Sequence, residues 1–174
     1  ARGAGGQAMS EIQKFSLVYD PAEDRIALDT EDDGGATMRL WLTQRLCRGL
    51  VGAFAPAVQK SLGAEIPPQH EAAVQAFEQA AAMQDFGKVA GVQPKAGSTV
   101  GLVHTVHITP TTAGFTLAFE FGQRRSVPIG LGVAQARQTL AVIYQLYVAA
   151  GWPLDVWPGW IADPPQTAPI AALN

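Results

Sequence analysis

The chain has 174 residues, of which 48% are hydrophobic and 16% charged, and its formal net charge is −3. This length fits one soluble domain with its own core, and the acidic balance argues against a general nucleic-acid binder, which needs a basic surface to displace counterions. So few charges favour either an apolar surface that self-associates or a large core under a polar, uncharged surface.

A glycine-rich stretch is followed by three short strands and a helix. Residues 1–10 contain no apolar segment, so they are predicted to be a disordered leader or a vector-derived remnant. Alternating apolar and polar positions predict three strands, at 15–19, 25–29 and 37–42. Thr43 is a candidate N-cap, and Leu46, Leu50 and Phe54 then lie along one side of a helix over 44–54.

The middle of the chain predicts an inserted alanine-rich helix. Its apolar residues between 71 and 86 recur near helical spacing, and they are Ala73, Val74, Phe77, Ala81 and Phe86. Glycine and proline residues between 87 and 101 then indicate a loop.

The second half repeats the plan of the first. Its alternating segments predict strands at 103–108, 115–121 and 126–131, followed by a helix over 133–150. Pro128 has no backbone donor, which favours a strand at the edge of the sheet. Gly151 is the expected C-cap of the helix.

These elements predict one α+β domain over residues 11–163, built from two β-β-β-α units with helices packed on an antiparallel sheet. Pro21 aligns with Pro110, and at the same spacing Ile26 aligns with Phe115 and Met38 with Val127. An internal pseudo-repeat is one explanation, and a chance register of common alternating patterns is the other. Residues 164–174 are predicted to be a mobile tail.

No pattern in the sequence predicts a catalytic or metal site. His104 and His107 are three residues apart on a predicted strand, so their rings point to opposite faces and do not converge on a metal. The glycine-rich loop 91–99 lacks the lysine that precedes Ser or Thr in a phosphate loop. Cys47, the only cysteine, has no histidine nearby in sequence and fits a reducing, cytoplasmic location. We therefore expect neither metal nor cofactor, and a protein that is not an enzyme.

Two groups of residues are candidates for binding. Trp41 lies among three arginines, Arg39, Arg45 and Arg48, a composition that suits base stacking or a protein interface as well as simple packing under arginine stems. Trp152, Trp157 and Trp160 cluster near the C-terminus, where they either cap the chain's own core or dock on a partner.

Two strand-strand-strand-helix units resemble the general plan of single-strand nucleic-acid-binding folds of the Whirly type, and the resemblance is one of plan alone. The main hypothesis is a non-enzymatic protein-binding or adaptor module, with a homodimer as one form of it. A single-strand nucleic-acid binder that uses the Arg/Trp group is the first alternative. A small hydrolase with a site assembled from distant residues is the second. No membrane partner is expected, because no apolar stretch is long enough to cross a bilayer.

Overall fold

A computed structural model of the protein describes residues 11–63, 65–84, 86 and 90–163, and within them it confirms an α+β fold. One six-stranded sheet has its strands in chain order, and β3 and β4 are the only parallel neighbours in it. The strands are β1 Ile12–Asp20, β2 Arg25–Asp32, β3 Thr37–Leu42, β4 Thr99–Pro110, β5 Gly114–Phe121 and β6 Arg125–Gly132. β6 is an edge strand, as Pro128 predicts. The predicted leader and mobile tail lie outside the described residues.

Four helices pack on this sheet: α1 Gln44–Lys60, α2 Pro68–Gln84, α3 Val133–Ala150 and α4 Gly159–Ala162. Thr43 caps α1, since its Oγ1 accepts a hydrogen bond from the backbone N–H of Leu46 at 3.2 Å. Gly151 ends α3 in the left-handed conformation, with φ of 67°. α1 continues past its predicted end at Phe54 because Ala55 and Val58 extend its buried face, although Pro56 interrupts the helical hydrogen bonding.

The two β-β-β-α units are present in the predicted order, with α2 between them. That the two units form an internal pseudo-repeat stays a prediction. No helix among the described residues is both long enough and apolar enough to cross a membrane.

The core lies between the inner face of the sheet and helices α1 and α3. The sequence predicts a core that includes Leu17, Ile26, Leu28, Leu40, Leu42, Leu46, Leu50, Phe115, Leu117, Phe119, Ile129, Leu140, Ile143 and Tyr147. All of them are buried except Leu17 and Leu46, which are half-buried and pack against the core. Gly101 pairs with Leu40 on the inner face, where the ring of Phe121 lies so close that a Cβ atom would overlap it. Any larger residue at 101 must displace that ring.

The face of α2 that packs against the core is not the face that carries its large apolar side chain, Phe77. Phe77 is 69% exposed, whereas Gln75 and Gln79 are buried. The buried side of α2 packs over α3, where the guanidinium of Arg137 is buried and needs acceptors. Gln75 Oε1 supplies one at 2.7 Å from Arg137 Nη2.

Candidate functional site

An apolar row crosses the outer face of the sheet, the face opposite α1 and α3. Strand register places Val18, Ala27, Trp41 and Leu102 side by side on β1 to β4, and we call these four residues the outer row. Val18 and Leu102 are each 49% exposed and Trp41 is half-buried. Ala27 is 1% exposed, so the accessible apolar surface of the row consists of the side chains of Val18, Trp41 and Leu102.

Arg39, next to the outer row, is fully engaged within the chain. Its Nε and Nη2 each donate to a carboxylate oxygen of Asp29 at 2.7 Å, and Asp29 is 1% exposed. The guanidinium also lies over the ring of Trp41, 5.4 Å from its centroid. The hydrogen bonds to Asp29 raise the pKa of Arg39. Its charge is therefore compensated and is not offered to a phosphate.

The outer row leads into a groove between α1 and β4. This groove, which we call the α1–β4 groove, has a volume of about 590 Å³, and its floor includes Leu50 and Val103. Its walls are mainly Arg45, Gly49 and Ala53 from α1, and Leu102, Val106 and Ile108 from β4. Gly49 and Ala53 are exposed small residues, so the helix side of the groove is open. Leu102 belongs to both the outer row and the groove, which makes the two surfaces continuous.

Two thirds of β4, residues 103–110, has a free backbone edge beside this groove. β3 pairs with residues 99–102 of β4 and ends at Leu42, where the chain turns into α1. Residues 103–110 have β5 as their ladder partner, and among the described residues no strand pairs with their other side. We call this side the β4 edge. Strand edges with unpaired N–H and C=O groups invite a further strand.

The β4 edge differs from the two outer edges of the sheet in its chemistry. Its residues, VHTVHITP, include no Asp, Glu, Lys or Arg, and most of them are β-branched. β1 carries Lys14 and Asp20, and β6 carries Arg125 and Pro128. Charges and proline are the usual guards against strand addition, and the β4 edge has neither before Pro110, its last residue, so we call it the unguarded edge.

The four residues of the predicted Arg/Trp group do not form one patch. Arg39 and Trp41 lie on the outer face, whereas Arg45 lines the α1–β4 groove, which has no acidic residue in its lining. Arg48 donates two hydrogen bonds to Asp155, at 2.7 and 2.5 Å, and these lower the pKa of that carboxyl group. Arg45 is thus the arginine of this group that has no carboxylate partner among the described residues.

The three predicted tail tryptophans are buried in the chain's own core. Trp152, Trp157 and Trp160 are 6%, 7% and 8% exposed. Trp157 packs edge-to-face on Tyr144 and Tyr147, with both centroid distances 5.3 Å. Trp152 Nε1 donates to Asp24 Oδ1 at 2.9 Å, the main cause of the lowered pKa of Asp24. The tail caps the core in this way and leaves these rings little surface for a partner.

The two strand histidines and the cysteine do not come together in one site. His107 Nε2 lies 3.1 Å from Glu120 Oε1 on the exposed outer face and not in a pocket, and His104 lies at the α1–β4 groove. Cys47 is 1% exposed, and burial raises the pKa of its thiol to about 12, which suppresses the nucleophilic thiolate at neutral pH. Within the described residues, no group of three or more His, Cys, Asp and Glu side chains could hold a metal ion.

Comparisons with protein families, with curated proteins and with solved structures found no match to this chain. A function for it must therefore be inferred from the surfaces described above.

The sequence contained a signal for the α1–β4 groove that the patterns above did not use. The predicted strand 103–108 is shorter than β4, which has 12 residues against 6 in its parallel neighbour β3. Val100 was assigned to a loop and Leu102 to no element, and both prove to be exposed apolar strand residues. An apolar run that starts before residue 103 indicates an earlier start of β4, which brings Leu102 into the strand that lines the groove.

Proposed function

We propose that this protein is a non-enzymatic protein-binding module that takes an extended segment of a partner into the α1–β4 groove. The observation that supports it best is the unguarded β4 edge, which lies beside an open apolar groove. A partner segment there becomes an additional strand next to β4, a mode of recognition known as β-augmentation.

The backbone supplies the general part of this binding. Outward N–H and C=O groups of residues 103–110 pair with the incoming strand, and each hydrogen bond contributes about 0.5–1.5 kcal/mol net of lost water contacts. This contribution does not depend on the partner's side chains, so it sets the conformation of the bound segment and not its sequence.

Side chains of the groove supply the selectivity. Gly49 and Ala53 leave room on the α1 side, and Leu102, Val106 and Ile108 offer apolar contacts on the β4 side. Alternate residues of a bound strand point to one side, so we expect a partner with apolar residues at alternate positions. Arg45 adds one positive charge with no acid beside it in the groove, which favours a partner that carries Asp or Glu at that end.

Single-strand nucleic-acid binding fits these surfaces less well. It needs cations that are available to phosphates, and Arg39 and Arg48 are already paired with Asp29 and Asp155. Stacking of bases on Trp41 would compete with the contact of Arg39 over the same ring. A hydrolase is not supported either, because the exposed His107–Glu120 pair lies outside the described pockets.

The first prediction is that filling the α1–β4 groove abolishes peptide binding. Peptides of about eight residues, selected from a random displayed library on the wild-type protein, are expected to alternate apolar residues and to carry an acid. Ala53→Phe should weaken them at least about tenfold, because the added ring occupies their place. Fluorescence anisotropy with a labelled selected peptide measures the loss.

Ala73→Phe is the matched control, since it places the same ring on an exposed position of α2 and should leave the affinity unchanged. Equal binding by Ala53→Phe and wild type would contradict the proposal. So would tight binding of a labelled single-stranded oligonucleotide at low salt that is lost on Trp41→Ala, since it would favour the nucleic-acid alternative.

Self-association is the second candidate, and the outward face of α2 is the observation that favours it. On α2, Phe77 is 69% and Met83 36% exposed, and Phe86, just after the helix, is 47% exposed, an unusual amount of apolar surface for one short stretch of chain. A second copy packing its own α2 against this face would bury these side chains. The homodimer remains a proposal on this basis.

The second prediction concerns this face of α2. If it mediates self-association, the mass from light scattering should rise with concentration toward that of a dimer, and Phe77→Glu should keep the protein monomeric by placing charges in the contact. Glu78→Ala, a change at the neighbouring half-buried position, is the control. A monomeric mass for the wild-type protein at every concentration would exclude the homodimer and leave the peptide-binding proposal intact.

A further inference from the structure

A second groove lies at the end of the sheet away from the tail, where β3, β4 and β6 begin. It has a volume of about 740 Å³, within the range of small-molecule sites. Residues of both edge strands line it, Ile12 from β1 and Val127 from β6. We call it the mouth groove, since pockets commonly lie at the mouths of curled or closed sheets.

The floor of the mouth groove is apolar and the surrounding wall carries hydroxyl groups. Met38, Phe121 and Val127 reach it, and Phe121 and Val127 are only 3% and 6% exposed. Thr30 and Ser126 line the same space, and Thr30 is 1% exposed. Such a surface favours a ligand with an apolar body and some hydrogen-bonding capacity.

The opening of the mouth groove is positively charged. Arg124 and Arg125 lie in the turn between β5 and β6 and at the start of β6, and neither forms an ion pair with a described residue. Arg125 is placed over the ring of Phe121, 4.9 Å from its centroid, so its guanidinium lies directly at the apolar floor. Asp32 is the acid of the lining, and its Oδ1 already accepts hydrogen bonds from the N–H groups of Gly34 and Ala36, at 3.0 and 2.8 Å.

We propose that the mouth groove binds a small amphipathic anion, with its carboxylate or sulfonate group at Arg124 and Arg125 and its apolar body over Met38, Phe121 and Val127. Guanidinium groups bind such anions through charge-assisted hydrogen bonds. The site is separate from the α1–β4 groove, with which it shares no lining residue, and it does not depend on peptide binding.

Two naphthalene probes of similar shape and different charge test this proposal. The anion 8-anilinonaphthalene-1-sulfonate should bind the wild-type protein with increased fluorescence. Arg124→Gln with Arg125→Gln should weaken it about tenfold and change the affinity of neutral N-phenyl-1-naphthylamine less than twofold, because the cations act on the sulfonate alone. Ala36→Trp, at an exposed position that lines the groove, should block both probes.

The control replaces two cations outside the groove, Lys14→Gln with Arg25→Gln, and should leave both affinities unchanged. Far-UV circular dichroism and the midpoint of thermal unfolding show whether each variant is folded, and a variant that fails is replaced by Ser126→Trp, which fills the same space. Sulfonate binding that survives Ala36→Trp would overturn the proposal, since the probe then binds elsewhere. Equal loss of both probes on removal of the arginines would overturn the anionic class.

Discussion

Replacing Gln75 by leucine is expected to lower the free energy of unfolding by about 2–4 kcal/mol, because it removes the side-chain acceptor of a buried charge. Arg137 is 1% exposed and forms no ion pair with any described residue. Its Nη2 donates to Gln75 Oε1 at 2.7 Å and its Nη1 to the backbone carbonyl of Gln75 at 3.4 Å, while its Nε has no partner among the described residues. Its guanidinium also lies over the ring of Trp160, 5.0 Å from the centroid. Burial lowers the pKa of Arg137, as expected for a cation that has lost water.

Gln75 also links α2 to α1, since its Nε2 donates a hydrogen bond to the backbone carbonyl of Gln59 at the end of α1. Arg137→Met keeps most of the stem and removes the charge, so we expect it to cost much less than Gln75→Leu. The double variant contains no buried cation that lacks an acceptor. Its loss in free energy of unfolding should therefore be smaller than the sum of the two single losses by about 1–3 kcal/mol. Urea unfolding of the four proteins measures this coupling. Additive losses would show that the contact between Gln75 and Arg137 contributes nothing.

The second large effect is expected at Trp157, and it separates a core role of the tail from a binding role. Trp157→Ala should lower the free energy of unfolding by about 3–5 kcal/mol, the usual cost of emptying a buried tryptophan site. The ring fills the space between Tyr144 and Tyr147, and it is 7% exposed. Peptide affinity at the α1–β4 groove should be unchanged at temperatures where the variant is folded.

Trp157→Phe is the matched variant, because the indole Nε1 has no hydrogen-bond partner among the described residues. The smaller ring retains the edge-to-face contacts and loses no hydrogen bond, so we expect it to cost only about 1–2 kcal/mol. Thermal unfolding followed by circular dichroism measures both. A Trp157→Ala protein as stable as wild type would mean that the tail is not part of the core and is free to dock elsewhere.

The alternating segments predicted most of the fold because each strand of this sheet is half-buried, with the core on one side. Leu28 and Leu40, or Phe119 and Ile129, mark the inner face in sequence as they do in the structure. The pattern did not reveal the parallel pairing of β3 with β4, because alternation carries no information about which strand lies next to which. The β4 edge follows from that pairing and from the length difference, so it was not predicted.

Two other features depended on tertiary contacts that periodicity does not encode. α2 was recognised as a helix, but the polar side of it is buried because Arg137, distant in sequence, requires Gln75 there. The arginines near Trp41 formed a plausible patch in sequence, yet two of them are paired in the structure, Arg39 with Asp29 and Arg48 with Asp155. Neither acid is adjacent in sequence to its arginine, so the compensation of charge became visible only in the fold.

Backbone amide hydrogen exchange, measured by NMR with and without a saturating selected peptide, tests the central proposal most directly. An added strand must bond the outward amides of residues 103–109, so exchange at these amides should slow by at least about tenfold on binding. The guarded edges, β1 and β6, should exchange as in the free protein. Protection that appears on β1, β6 or α2, with residues 103–110 unchanged, would contradict strand addition at the β4 edge.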